Sequence, residues 1–348
     1  MNKKLLLRIL LFGGTIISLF FVPWILIKAW VMPLPESVQE QLDEALTYGF
    51  DGIVVYIDQG EKQPEFYASG WKNRENKTPA DPYALFKIAS IAKLYDAVAI
   101  TKLVGAQRLS LDKTLSDYFP EWTGRIEYAN EITLRTLVQH RSGIPNYTNS
   151  PGFWEHPPKT VEATLGLILD QPASFKPGEG YEYSNTNYLL LAELIKKVTG
   201  SDKSHYIREA ILAPLRLKNT FFSIHEINIE ELMSGYYVGI EEDIKTVDYG
   251  SMVATAEDVG IFLRALNQGT LLNKEEQAIY SSIYKYEHTG LIPGYQSIAK
   301  YHKKEDMVVI QFTNTTDFSG YQWSLSEIVY HRIMKILKKS SYNSGTID

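Results

Sequence analysis

Strand-like runs stand near both ends of this chain and helical patterns fill its middle, and that division constrains the fold more than any other feature. Gly52-Ile53-Val54-Val55-Tyr56-Ile57 is β-branched, Gln59-Gly60 turns, and Glu65-Phe66-Tyr67-Ala68-Ser69 alternates, which reads as a hairpin. The same signal returns at Tyr284 to Thr289, Tyr295 to His302 and Met307 to Thr313, joined by Pro293-Gly294 and Lys303-Lys304-Glu305-Asp306. Between them, helices are expected at 90–107, 132–140, 159–170, 186–199 and 203–213, with irregular segments from about Phe221 to Tyr249. Thr255 caps a helix to about Asn267, with Thr255-Ala256-Glu257-Asp258 close to a capping box. Pro35-Glu36-Ser37 starts a first helix to about Tyr48, and a last one runs from about Trp323 to Leu337 with Ile328, Val329, Ile333 and Ile336 as its apolar face. The simplest closed arrangement is an α+β fold. An antiparallel sheet from 52–69 and 284–313 is covered by the first and last helices, with an all-helical lobe inserted. This predicts an α/β lobe of 36–89 and 245–338, a helical lobe of 90–244, and a tail of 339–348.

The 348 residues can bury a large core. A net charge of -6, with no basic cluster beyond the N-terminus, argues against a nucleic-acid surface. There is no cysteine, which excludes a thiol nucleophile, disulfides and a thiolate metal site. The seven histidines lack tight metal-ligand spacing, so neither metal nor other cofactor is expected. Lys3, Lys4 and Arg8 precede an uncharged run from Ile9 to Ile27, whose nineteen residues, at about 1.5 Å each, nearly match a bilayer core of about 30 Å. Three positive residues before the run, against Lys28 after it, predict a cytoplasmic N-terminus (1–8), a single-pass transmembrane anchor (9–31) and an extracytoplasmic bulk. A cleaved signal peptide competes with this reading, although its apolar core is usually shorter and Lys28-Ala29-Trp30-Val31 is a poor cleavage site; a buried core helix is a third alternative.

Chemistry concentrates first at Phe86-Lys87-Ile88-Ala89-Ser90-Ile91-Ala92-Lys93. At i and i+3 of a helical first turn, the Ser90 hydroxyl and the Lys93 amine share one face, beside the positive helix N-terminus. A serine becomes a good nucleophile when a nearby base takes its proton, and an amine kept neutral is such a base. The pattern alone is weak, because a helix N-cap beside a solvated lysine explains it too. Ser-x-x-Lys also recurs at Ser282-Ile283-Tyr284-Lys285, where a strand is expected to hold the two apart. Two further clusters strengthen it. Tyr183-Ser184-Asn185 follows the turn Lys176-Pro177-Gly178 and precedes an apolar helix, and His288-Thr289-Gly290 lies in a strand whose glycine admits close approach.

The order Ser-x-x-Lys, Tyr-x-Asn, His-Thr-Gly, on helix, loop and strand, resembles the penicillin-recognising serine hydrolases of β-lactamase/transpeptidase-like fold. The nearest branch is that of class C β-lactamases, D-alanyl-D-alanine carboxypeptidases and related esterases. Leu137-Val138-Gln139-His140-Arg141-Ser142-Gly143-Ile144-Pro145, Thr255-Ala256-Glu257-Asp258 and Pro293-Gly294-Tyr295 support the resemblance, which covers about 36 to 338. It implies Ser90 as the acylated nucleophile, Lys93 as its proton partner, and Tyr183 as base for acylation and proton donor to the leaving group. It also implies Asn185, His288, Thr289 and Gly290 as substrate-binding residues, and the backbone N–H groups of Ser90 and Leu291 as the oxyanion hole. Tyr and Lys both have reference pKa values near 10, so one of them must be depressed to accept a proton at neutral pH. His288 stands where many β-lactamases have lysine, and a neutral imidazole attracts a carboxylate less. β-Lactam turnover is therefore not implied. The resulting expectation is a membrane-anchored hydrolase of an amide or ester, with peptidoglycan stem peptides and small esters as competing substrates. A slow or non-hydrolysing penicillin-binding module of the cell wall is the alternative. An esterase with a nucleophile elbow is disfavoured, because G-x-S-x-G is absent.

Overall fold

The computed structural model describes residues 2–344, which divide into two compact units. The first takes the chain to Phe50 and from Asp317 onward, and the second runs from Asp51 to Thr316.

In the first unit the expected apolar span is broken. Helices Lys3–Leu19 and Trp24–Val31 are bent by 72° at the break that ends in Pro23. A proline has no N–H for the preceding turn, and its ring crowds the carbonyl four residues back. No single helix among the described residues is long and apolar enough to cross a membrane; Leu11–Leu19 and Trp24–Val31 reach that length and apolarity only as a bent pair. The helix Val38–Leu46 starts at Ser37, whose hydroxyl accepts from Glu40 N at 3.2 Å. It packs with the long helix Gln322–Ser344 around buried Arg332. That guanidinium donates to Gln41 Oε1 (2.6 Å), Glu44 Oε2 (3.1 Å) and the carbonyls of Met32 and Pro33. Five donors in a planar fork suit this cluster of oxygens.

The second unit contains strands β1 (Gly52–Gln59), β2 (Glu65–Asn73), β3 (Thr78–Pro79), β4 (Phe86–Lys87), β5 (Thr220–Phe221), β6 (Tyr236–Tyr237), β7 (Val253–Ala254), β8 (His288–Ile292), β9 (Tyr295–His302), β10 (Met307–Thr313) and β11 (Thr315–Thr316). The main sheet has the order β3-β2-β1-β10-β9-β8 and is antiparallel throughout, so the hairpins from the two ends meet at β1 and β10, with Ile53 opposite Thr313 and Gln59 opposite Met307. The helix Ala256–Asn267 packs on β1, β9 and β10. A Cβ on its Gly260 would lie 2.2 Å from the Tyr56 ring, so glycine alone allows that approach. Thr255 caps this helix, but only half of a capping box forms: the Asp258 carboxylate turns instead to Asn219 N and the Thr220 hydroxyl, both at 2.8 Å.

Two expectations are corrected. The 284–289 strand begins only at His288, and a helix, Lys274–Ile283, stands before it. Asn273 and Glu276 form a reciprocal capping box at its start. The expected helix of 159–170 is reduced to Val161–Gly166.

Candidate active site

The helix Ala92–Gly105 is almost wholly buried; Leu94, Ala97, Val98, Ile100 and Leu103 are all fully shielded. A helix shielded on nearly every side belongs in a core, and this one carries the polar side chains of Lys93, Asp96 and Thr101 inside with it. Its entry is a short 3₁₀ turn, Ala89–Ile91, rather than the first turn of an α-helix. Ala89 has φ +50°, a left-handed conformation that costs an alanine about 1 kcal/mol and persists only where neighbours dictate it. The neighbours are present. Ala89 N donates to Ser251 Oγ (2.9 Å), Ile88 N to Met252 O (3.0 Å), and Ser297 Oγ to Ile88 O (3.1 Å).

This turn presents the Ser90 hydroxyl to both predicted partners. The Tyr183 hydroxyl donates to Ser90 Oγ at 2.7 Å, and Lys93 Nζ lies 3.1 Å from the same oxygen. Lys93 also donates to Asn185 Oδ1 at 2.8 Å, so Ser90, Lys93, Tyr183 and Asn185 form one connected cluster. Burial drives the lysine down from 10.5 to about 7, against the raising influence of Asp96, and pushes the Tyr183 hydroxyl up. The depressed member of the pair is the lysine. Among the described residues, no group of three or more His, Cys, Asp or Glu is placed to hold a metal.

Asn185 opens the helix Asn185–Thr199, and its side-chain amide reaches Asn146 Oδ1 and Thr148 Oγ1, both at 3.3 Å. Sequence reasoning gave those two residues no role, and it quoted His140 without assigning one. His140 is buried with φ +56°; its ring stacks on Tyr183 with centroids 4.4 Å apart, and its Nδ1 accepts from Ser184 N at 3.1 Å. It is the platform of Tyr183. Burial holds the imidazole neutral, down to about 3. Gly143 follows at φ +77°, and a Cβ there would lie 2.0 Å from Phe175 O, so the chain leading to Tyr183 passes directly against it.

The third motif lies on β8. A Cβ on Gly290 would meet Ile88 O at 2.5 Å and Ser297 Oγ at 2.4 Å, so this strand runs against the turn that carries Ser90. Side chains alternate along it: His288 and Gly290 are buried, Thr289 is half-buried and Leu291 is exposed. His288, expected among the substrate-binding residues, is buried with both ring nitrogens engaged. Its Nδ1 faces Thr289 O and its Nε2 lies 3.0 Å from the Tyr284 hydroxyl, while burial drives it well below the usual histidine range. No ring nitrogen remains for a ligand. Thr289 and Leu291 lie on β8, an edge strand of the main sheet.

The β-lactamase family pattern matches residues 36–285. Protein flp of Staphylococcus aureus (strain MW2) is 33% identical over 195 residues, 54% of this chain and 39% of that protein, so the chain spans about two fifths of the length of this relative. D-amino acid amidase from Ochrobactrum anthropi SV3 has a similar fold, with a TM-score of 0.78 and 24% identity, covering 87% of this chain and 99% of that one. A penicillin binding protein from Bacillus halodurans gives a TM-score of 0.72 at 22% identity, over 86% and 98%. A match over well over half of the 348 residues, on an α+β fold shared with amidases and penicillin-binding proteins, means that the chain belongs to the β-lactamase family of serine hydrolases.

Proposed function

We propose that this protein hydrolyses an amide or ester bond through an acyl-enzyme on Ser90. The observation that carries the reading is the Ser90 hydroxyl held between Lys93 Nζ and the Tyr183 hydroxyl, with the lysine buried. Neutral Lys93 takes the Ser90 proton as Oγ attacks the carbonyl carbon, and the charge on the carbonyl oxygen faces the N–H groups of Ser90 and Leu291. Tyr183, raised by burial, keeps its proton and is therefore the donor to the leaving group, while the Lys93 ammonium restores the tyrosine's proton. This assigns the base to Lys93 and the acid to Tyr183, in place of a basic Tyr183. Water then attacks the ester carbon with the roles reversed. Asn185 orients the substrate amide or ester, and Thr289 lies along the strand on which it docks.

Substrates of the D-alanyl-D-alanine carboxypeptidase type fit an anchored enzyme facing the cell wall. The apolar N-terminal segment with Lys3, Lys4 and Arg8 before it supports that placement, with the bent helix pair as membrane element. Neutral, buried His288 offers no cation to a substrate carboxylate, which favours small esters and amides as the second substrate class.

The test is intact mass over time for wild type and Ser90→Ala with a labelled penicillin and with a small acyl ester. A penicillin adduct present only in wild type supports the peptidase reading, and ester turnover without a stable adduct supports the esterase. Unchanged turnover in Ser90→Ala overturns the acyl-enzyme; silence of wild type toward both substrates leaves the penicillin-binding module as the better reading.

A further inference from the structure

One turn beyond Lys93, on the same helix, the Asp96 carboxylate is buried, with its side chain 3% exposed. Residues three apart share a helix face, so this carboxylate is the natural counter-ion for Lys93. It is engaged elsewhere. Lys203, at the start of the helix Lys203–Ile207, donates to both Asp96 oxygens at 3.0 Å, while Lys93 Nζ turns to Ser90 and Asn185.

We propose that Lys203 is a positioning residue of the catalytic centre: by ion-pairing Asp96, it keeps that carboxylate from holding Lys93 as an ammonium ion. This rests on Lys93 acting as the base. Asp96 is the carboxylate whose charge acts on Lys93, and Lys203 opposes it. Every other element around the amine supplies neutral or cationic groups. Tyr183 and Tyr188 present their rings, with Nζ 5.0 Å and 5.4 Å from the centroids. His140, His288 and Lys285 are held down chiefly by burial, and the charge of Lys93 lowers each of them further. Glu276, on the neighbouring helix, pairs with Lys102 at the far end of the Lys93 helix. Without Lys203, the buried carboxylate would stand uncompensated beside the base, and an opposite charge that close favours the protonated amine.

The test is kcat/KM against pH for a small acyl ester. Lys203→Met is expected to displace the acid limb upward by about one pH unit. Activity on that limb then falls about tenfold, while the high-pH plateau stays within about twofold of wild type. Lys203→Arg keeps the wild-type limb, and Asp96→Asn with Lys203→Met returns it. Asp96→Asn alone leaves an uncompensated cation and moves the limb downward, so the proposal is tested even where Lys203→Met fails to fold. A limb that stays in place in Lys203→Met or in Asp96→Asn, or a loss equal at every pH, overturns it. The same displacement read by NMR titration of carbon-labelled Lys93 in Ser90→Ala is independent of turnover. Turnover surviving in Ser90→Ala would instead break the acyl-enzyme reading.

Discussion

Ser90-Ile91-Ala92-Lys93 and Ser282-Ile283-Tyr284-Lys285 share one spacing and one pair of residue types, yet they meet opposite surroundings. Around the first, a 3₁₀ turn feeds a helix that runs on through the core, so hydroxyl and amine stay within 3.1 Å and the amine is kept out of water. The second straddles a helix end. Ser282 sits in the last turn of Lys274–Ile283, Tyr284 is extended at φ −145°, and Lys285 leaves toward solvent. Ser282 Oγ donates to Ile279 O at 2.7 Å and accepts from Arg135, which is ordinary behaviour for a serine at a helix C-terminus. A motif of two residues therefore specifies a reactive pair only when the backbone continues as helix and the surroundings remove water from the amine.

The comparison is broken most forcefully at the lysines. Lys93→Met is expected to cost about a hundred- to ten-thousand-fold in kcat on a small ester, while Lys285→Met stays within about threefold. Equal losses would mean that the two motifs differ less than their geometry indicates. A middle effect is expected at His140, which has no counterpart near Ser282. His140→Ala removes the stacked platform under Tyr183, so kcat falls about tenfold and unfolding by denaturant loses about 2 kcal/mol.

His140 also sets a pH dependence. Its folded value of about 3 lies below the unfolded 6.5, so between those limits the unfolded chain binds the extra proton. Wild-type stability consequently falls as pH drops from 6.5 toward 3, and His140→Ala flattens that slope. The smallest effect is expected at the second motif itself. Ser282→Ala changes stability by less than about 0.5 kcal/mol and leaves turnover unchanged, measured by melting and by ester hydrolysis.

The two motifs also mark where the sequence was legible. The hairpin at 52–69 and the strands at 295–302 and 307–313 follow from β-branched runs and turns, and their antiparallel closure places β8 against the Ser90 turn. The helix at 274–283 was missed although Asn273 and Glu276 carry a readable start signal, because the aromatic run after it reads as strand. The break at Pro23 is not legible in the apolar run, because proline is tolerated within membrane helices. His140 is a different case. Nothing in its neighbourhood along the chain announces that it stacks on a tyrosine forty-three residues later.

By itself the amino-acid sequence determined which residue types stand at which spacing: a serine three before a lysine, a tyrosine two before an asparagine, and a glycine where a strand must approach closely. Local propensity and hydrophobic period then determined most of the elements that carry them. The chemical state of those residues was decided only in three dimensions. Lys93 is driven down to about 7 because a helix buried on nearly every side takes it into the core, and Asp96 is drawn away from it by Lys203, a hundred and seven residues on. His288, matching the motif by position, is closed off by Tyr284 and its own backbone. Desolvation and charge pairing depend on what the rest of the chain packs around a group, and no local stretch contains that information.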